Sequence, residues 1–291
     1  MKTIAKLAFK EILYKKIFRI VVLMTLAFLA FYGTAIYYAG KEFSISFESG
    51  SRSMADLFIQ QNVIASQLLG VGLYFSSFIL ALLTILSAVP SISSEIDSHQ
   101  IDTWLARPLS RRSFILGKFI GLSTMFVLYG MFLFGGVLLV FQLFSGEFLS
   151  LSFEPLQLIT SMLIFVLQPI VIIAISMLLS SRMTTVSGGI ILIILYGVGF
   201  IGGFVEQIGA LMENVTLINI GILSSLALPL DSLFRMTIIQ LFETSDNPIS
   251  FASQGLFGSV SAPSPAMIGY AIVYSAMMLF LAVRVFSERD V

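Results

Sequence analysis

Six stretches of this chain, each at least as long as a membrane-crossing helix, contain no Asp, Glu, Lys or Arg: Ile20–Ala39, Leu57–Ser94, Phe119–Gly146, Pro155–Ser181, Met183–Val205 and Asn247–Val283. About 20 apolar residues suffice to cross ~30 Å of hydrocarbon as a helix. A soluble domain cannot hide six such runs. Soluble domains have about a quarter of their residues charged, whereas here 11% are charged, 57% are hydrophobic and the mean hydropathy is +1.00. The expected fold is therefore an all-α polytopic membrane protein with six transmembrane helices. The spans are placed at about 20–39, 68–91, 119–143, 156–180, 186–205 and 266–285 of one transmembrane domain covering residues 1–291. The first run follows a lysine-rich segment and reads as a span and not a cleaved signal peptide.

A seventh charge-free stretch, Asn214–Leu230, is shorter and carries Asn214, Asn219 and several serines. Its polarity suggests a surface helix or re-entrant segment on the outer side. Basic residues then set the orientation. With the N-terminus inside, every one of the 16 Lys and Arg residues except Lys41, Arg52 and Arg235 faces the cytoplasm. This predicts a multi-pass protein of the cell (plasma) membrane with both termini cytoplasmic. It also predicts an outer loop of about 28 residues after the first span, a charged cytoplasmic loop near Ile92–Lys118, and an outer segment over Glu206–Pro265.

Missing residue types narrow the chemistry. There is no cysteine and one histidine, His99, so thiolate and multi-histidine metal sites are excluded. The expected spans hold no carboxylate away from their cytoplasmic edges, where proton- and sodium-coupled transporters normally place one. Backbone carbonyls leave an ion-coupled transporter open as the least favoured reading. Gly117-Lys118 resembles the end of a phosphate-binding loop, but Arg112 and Phe119 stand where glycine and Ser or Thr are needed. The chain is expected to be non-catalytic, with no cofactor of its own and no nucleic-acid partner.

The cytoplasmic segment Glu95–Lys118 reads EIDSHQIDTWLARPLSRRSFILGK. Pro108 disfavours helix at Arg107, so a short helix over about Ser94–Ala106 is predicted to stop there. Such a helix would offer Ile101 and Trp104 to a partner, with Arg107, Arg111 and Arg112 toward lipid phosphates. A solvated loop whose arginines only enforce topology explains the same composition.

This segment resembles the loop of ABC-2 type permeases, the membrane subunits of many ABC exporters. Their pattern runs from an acidic pair through Gly-Thr, an apolar-acidic step and Leu-Leu to Pro-x-Ser-Arg and a Gly-Lys that opens the third span. Glu95 and Asp97, Ile101-Asp102, Trp104-Leu105-Ala106, Pro108, Ser110, Arg111 and Gly117-Lys118 follow it, with His99-Gln100 in place of Gly-Thr. The ending Arg284–Val291 and the segment Leu228–Arg235 are similar to further family features. The resemblance is closest to the branch holding the permease of nitrous oxide reductase maturation and antibiotic-resistance exporters.

The resemblance implies a pair of permeases, this one with a second copy or a paralogue, each bound by an ATP-binding cassette ATPase subunit that carries the ATP and Mg. The loop would be a coupling helix contacting the ATPase through Glu95, Asp97, Ile101, Trp104, Leu105, Arg107, Arg111 and Arg112. Residues 1–19 would form an amphipathic interfacial helix against membrane lipids. Lys2, Lys6 and Lys10 share one face of it and Ile4, Ala8 and Ile12 another, although Phe9 and Leu13 blur the division.

Gly117/Gly121 and Gly199/Gly203 are spaced to let helix backbones approach, within the chain or across a dimer interface. Pro169 is expected to kink span four, and Asp231 and Arg235 are spaced to pair on an outer helix. The implied function is export of an amphipathic or lipid-like molecule driven by a partner's ATP cycle. A membrane anchor or sensor that couples an ATPase to assembly or signalling without transport is the alternative from a different class.

Overall fold

The computed structural model describes residues 2–48, 54–98, 110–146, 149, 151, 153–242 and 261–288. Its described residues form eleven helices and no strand. Helix α1 (Lys2–Tyr14) buries Ile4, Ala8 and Ile12, one residue per turn, and breaks from α2 (Lys16–Glu48) at Lys15. Helix α3 (Met54–Ala88) bends at Val89 into α4 (Pro90–Asp97), where proline occupies a first-turn position that needs no intrahelical N–H donor. Helix α5 (Arg111–Phe144) starts at Ser110, whose hydroxyl accepts from the Ser113 N–H at 3.3 Å.

Span four is two helices, α6 (Pro155–Phe165) and α7 (Leu167–Arg182), broken at Val166. Pro169 causes the break. It has no N–H to give the Phe165 carbonyl four residues earlier, and its ring crowds that turn. Helices α8 (Thr185–Leu211), α9 (Val215–Ala227), α10 (Leu230–Phe242) and α11 (Ala266–Glu288) complete the chain.

Six helical segments are long and apolar enough to cross a membrane: Lys16–Glu42, Gln60–Asp97, Arg111–Phe144, Pro155–Arg182, Thr185–Leu211 and Ala266–Glu288. Helices α1 and α4, the start of α5, the α7–α8 turn and the end of α11 gather at one end, called here the basic end. Ser93 meets Thr185 there at 2.7 Å, and Arg111 meets the Ser287 carbonyl at 3.3 Å. The core lies among α3, α5, α6 and α7, where Phe126, Phe134 and Phe165 are fully buried.

Three expectations are corrected. The loop of about 28 residues after the first span is mostly helix, since α2 continues to Glu48 and α3 starts at Met54. Serines there do not stop the helix. The Ser44 hydroxyl, for example, bonds back to the Lys41 carbonyl at 2.7 Å. The short helix expected from about Ser94 starts at Pro90 and ends at Asp97; residues 99–106 lie outside the described set. Finally, Glu206 does not end the fifth span, because α8 carries it a further turn to Leu211.

The Asn214–Leu230 stretch becomes half of a hairpin. Asn214 caps α9 by accepting from the Thr216 and Leu217 N–H groups at 3.0 and 3.4 Å. Helix α9 then runs back down α8: Leu217 faces Gly209, Gly221 faces Glu206, Ser224 faces Gly202 and Leu228 faces Gly199. Its tip reaches about the middle of α8. At Leu228–Pro229 the chain turns by 103° into α10. That helix climbs back past Gly203 and Glu206 until Phe242 meets Phe153, beside the start of α6. The pair enters and leaves from the end opposite the basic one, as a re-entrant hairpin.

Candidate functional site

Among the described residues two buried ion clusters, in opposite halves of the bundle, hold charged side chains that the helices bury. At the basic end Lys118, two turns into α5, is 2% exposed. Its ammonium donates to the Glu95 carboxylate of α4 at 2.5 Å and to the Ser91 carbonyl. It lies 3.9 Å from Glu11 of α1 and 5.4 Å from the centroid of the Phe114 ring. Glu11 in turn pairs with Lys15 at 2.9 Å. A chain of alternating charge thus joins α1, α5 and α4. Burying an ammonium demands such partners, because an unpaired ion in the interior costs several kcal/mol.

Helix α4 is held on its other side as well. The Ser180 hydroxyl of α7 donates to the Val89 carbonyl, and Ser93 bonds Thr185 at the start of α8. Helix α1 sits close on α5 because residue 121 is glycine. A Cβ there would collide with the Ala5 carbonyl oxygen and stand 2.9 Å from the Ala8 methyl.

The expected coupling residues divide accordingly. Glu95 is buried in the ion cluster, whereas Asp97 is exposed at the end of α4. Arg111 donates to the Ser287 carbonyl of α11, and Arg112 is exposed. Ile101, Trp104, Leu105 and Arg107 lie outside the described residues. Both sequence flanks of that segment, α4 before it and α5 after it, are tied together by the Lys118–Glu95 pair. Of the glycines expected in helix packing, Gly117 is buried in α5 and Gly121 faces α1. Gly199 faces the Leu228 carbonyl, and Gly203 faces the Asp231 carboxylate.

The second cluster lies in the opposite half of the bundle. Arg235 of α10, 2% exposed, holds Glu206 of α8 with two parallel bonds of 2.8 and 2.7 Å. It also donates to the Ser261 carbonyl at 2.9 Å and pairs with Asp231, one turn earlier, at 2.8 Å. The Ser261 hydroxyl completes the ring by donating to Glu206 at 2.8 Å. The fork geometry of the guanidinium suits two carboxylates and a carbonyl at once. This one side chain therefore joins the re-entrant hairpin, span five and the chain entering span six.

Beneath the hairpin tip is a cavity of about 20 Å³, enough for one water. Tyr74, Ser77, Gln168, Tyr196 and Asp231 line it. The Ser77 hydroxyl donates to the Gln168 side-chain carbonyl at 2.5 Å. The Gln168 amide nitrogen has no partner among the described residues. A polar pocket of this size suits hydration more than capture of a large molecule. Among the described residues, no cluster of three or more His, Cys, Asp or Glu side chains is placed to hold a metal ion.

Sequence reasoning anticipates Asp231–Arg235 from its spacing and offers a re-entrant segment for Asn214–Leu230, but it does not reach Glu206 or the return through α10. By sequence position Lys118 reads as a cation of the cytoplasmic loop, whereas it is buried in α5. The available signal is the order of residues, an acid at the close of one apolar run and a lysine directly before the next.

The family model described as ABC-2 family transporter protein matches residues 2–291. No curated protein matches the chain.

Proposed function

The chain belongs to the ABC-2 family of transporter proteins, and from that premise we propose that it is the permease of an ATP-driven exporter whose ATP and Mg are held by a separate ATP-binding cassette subunit. Permeases of this family generally work with such an ATPase. The basic end then faces the cytoplasm, in keeping with the lysine and arginine distribution, and the ATPase docks on it. Export of an amphipathic or lipid-like molecule suits a bundle whose charged side chains are neutralised in pairs. Such walls present no fixed charge to repel an apolar cargo.

One observation carries the reading. The segment 99–109 emerges between two helices that a buried ion pair locks to each other and to α1. Force applied to that segment would reach spans two and three together through the paired flanks. An ATPase that binds this surface differently in its ATP-bound and ATP-free states would shift the bundle between two arrangements. Trp104 would supply the apolar anchor of that contact.

The test is gentle extraction of a tagged chain followed by identification of what accompanies it. A subunit with a complete phosphate-binding loop, and ATPase activity that responds to amphipathic compounds in reconstituted membranes, is the expected result. Recovery of the tagged chain alone across several mild detergents would count against the proposal.

A further inference from the structure

Between the start of α5 and the last turns of α11 lies an open groove of about 730 Å³. Arg112 and Arg284 stand at its mouth, at the basic end, with Leu116, Leu279 and Phe280 among its walls. It abuts a second hollow of about 300 Å³ that shares Ala276 and Leu279 with it and continues along α7. Measured along α11 from Glu288 to Ala276, the first hollow is about 18 Å deep at 1.5 Å per residue. That is about the hydrocarbon depth of one leaflet, half of ~30 Å.

The mouth is basic. Arg112 is exposed and has no acidic partner among the described residues, while Arg284 meets Glu288 at 3.1 Å with both side chains largely in solvent. Arg111 stands beside them on the Ser287 carbonyl. Two guanidinium groups, Arg112 and Arg284, thus stand with one carboxylate, Glu288, at the head of an apolar trough. A two-fold contact centred on this patch would bring it against itself, since such interfaces are self-complementary. Like charges would then meet. An anionic headgroup above an acyl chain matches both parts of the surface, as basic pockets between membrane helices do for acidic lipids.

We propose that this groove binds an anionic phospholipid of the leaflet at the basic end. Its phosphate is held by Arg112 and Arg284, and one acyl chain lies along Leu116, Ala276 and Leu279. The site needs only a membrane-embedded chain, so it stands or falls separately from the ATPase partnership.

The experiment uses the full chain, delipidated in a neutral detergent, and follows its thermal unfolding midpoint. Phosphatidylglycerol should raise the midpoint, while phosphatidylcholine and inorganic phosphate at the same concentration should not. The double substitution R112Q/R284Q should leave the lipid-free midpoint unchanged but require about thirtyfold more phosphatidylglycerol, the factor expected when two basic contacts to an acidic headgroup are lost. Ala276 is exposed in the groove floor, so A276W should weaken the same response while both arginines remain. Equal responses to the two lipids, no response, or full retention in the double variant would overturn the site. A response to inorganic phosphate alone would mean an anion site and not a lipid site. Cysteines at position 280 that cross-link two copies, with no lipid response, would assign the groove to a second copy.

Discussion

Lys118 and Glu95 meet at 2.5 Å inside the protein, although 23 positions and the whole 99–109 segment separate them in the chain. The pair closes the base of that segment. Glu11 extends it to α1, so three helices share the charges that flank that segment. The Arg235–Glu206 pair does the same in the other half, drawing the hairpin, span five and the approach to span six together. Each cluster sits where a connection meets the bundle.

Removing one partner of the basic-end pair should cost more than removing both. Lys118→Met leaves Glu95 buried without its cation and should lower stability by about 3–5 kcal/mol. In Glu95→Gln the ammonium keeps the Ser91 carbonyl and the more distant Glu11, so the loss should be smaller. The double variant should recover part of the Lys118→Met loss. Thermal unfolding of the four proteins in one detergent gives the coupling directly, and strictly additive effects would show that the pair does not act as a unit.

The second cluster depends on fork geometry. Arg235→Lys keeps the charge but loses the paired bonds to Glu206 and the simultaneous reach to Asp231 and Ser261. It should unfold at a lower temperature than the native chain, and Arg235→Met lower still, because two buried carboxylates then lack a cation. Equal midpoints for all three would mean that Arg235 does not hold the hairpin.

The hairpin also depends on missing side chains. A Cβ at Gly203 would meet the Asp231 carboxylate, and one at Gly221 would meet the Glu206 side chain and backbone. Gly203→Ala and Gly221→Ala should each destabilise by about 1–3 kcal/mol, as overpacking does. Gly197 and Gly269 face open space, so alanine there should be neutral or slightly stabilising in a helix. Thermal midpoints of the four alanine variants separate close approach from simple glycine content.

Much of this architecture is legible in the charge-free runs. They mark six spans because hydrocarbon excludes charge from lipid-facing helices, and Pro169 marks the break in span four because a missing N–H acts locally. What the runs conceal is charge neutralised by distant partners. Glu206 reads as the end of a span only while Arg235, 29 positions away, is out of view. The hairpin is hidden for a related reason. Gly202, Gly203, Gly209 and Gly221 announce close packing but not which helix approaches, and the turn at Leu228–Pro229 is fixed by that packing. Glu95 was identified through a family resemblance in its loop, whereas its burial against Lys118 follows from how α4 folds back on α5. Helical ends beyond the membrane, as in α2 and α3, escape the same reasoning because polar residues there no longer mark a boundary.

If an ATPase takes hold at the segment between α4 and α5, its co-purification with native and Trp104→Ala chains measures that contact. Trp104 belongs to none of the six charge-free runs of the sequence, so the variant should insert and unfold as the native protein does. The native chain, tagged and extracted in mild detergent, should retain an ATP-binding cassette subunit. Trp104→Ala should lose most of it, since truncating a central aromatic anchor commonly costs ~2 kcal/mol or more, about thirtyfold in affinity. Equal retention by both chains, or no ATPase with either, would contradict the account.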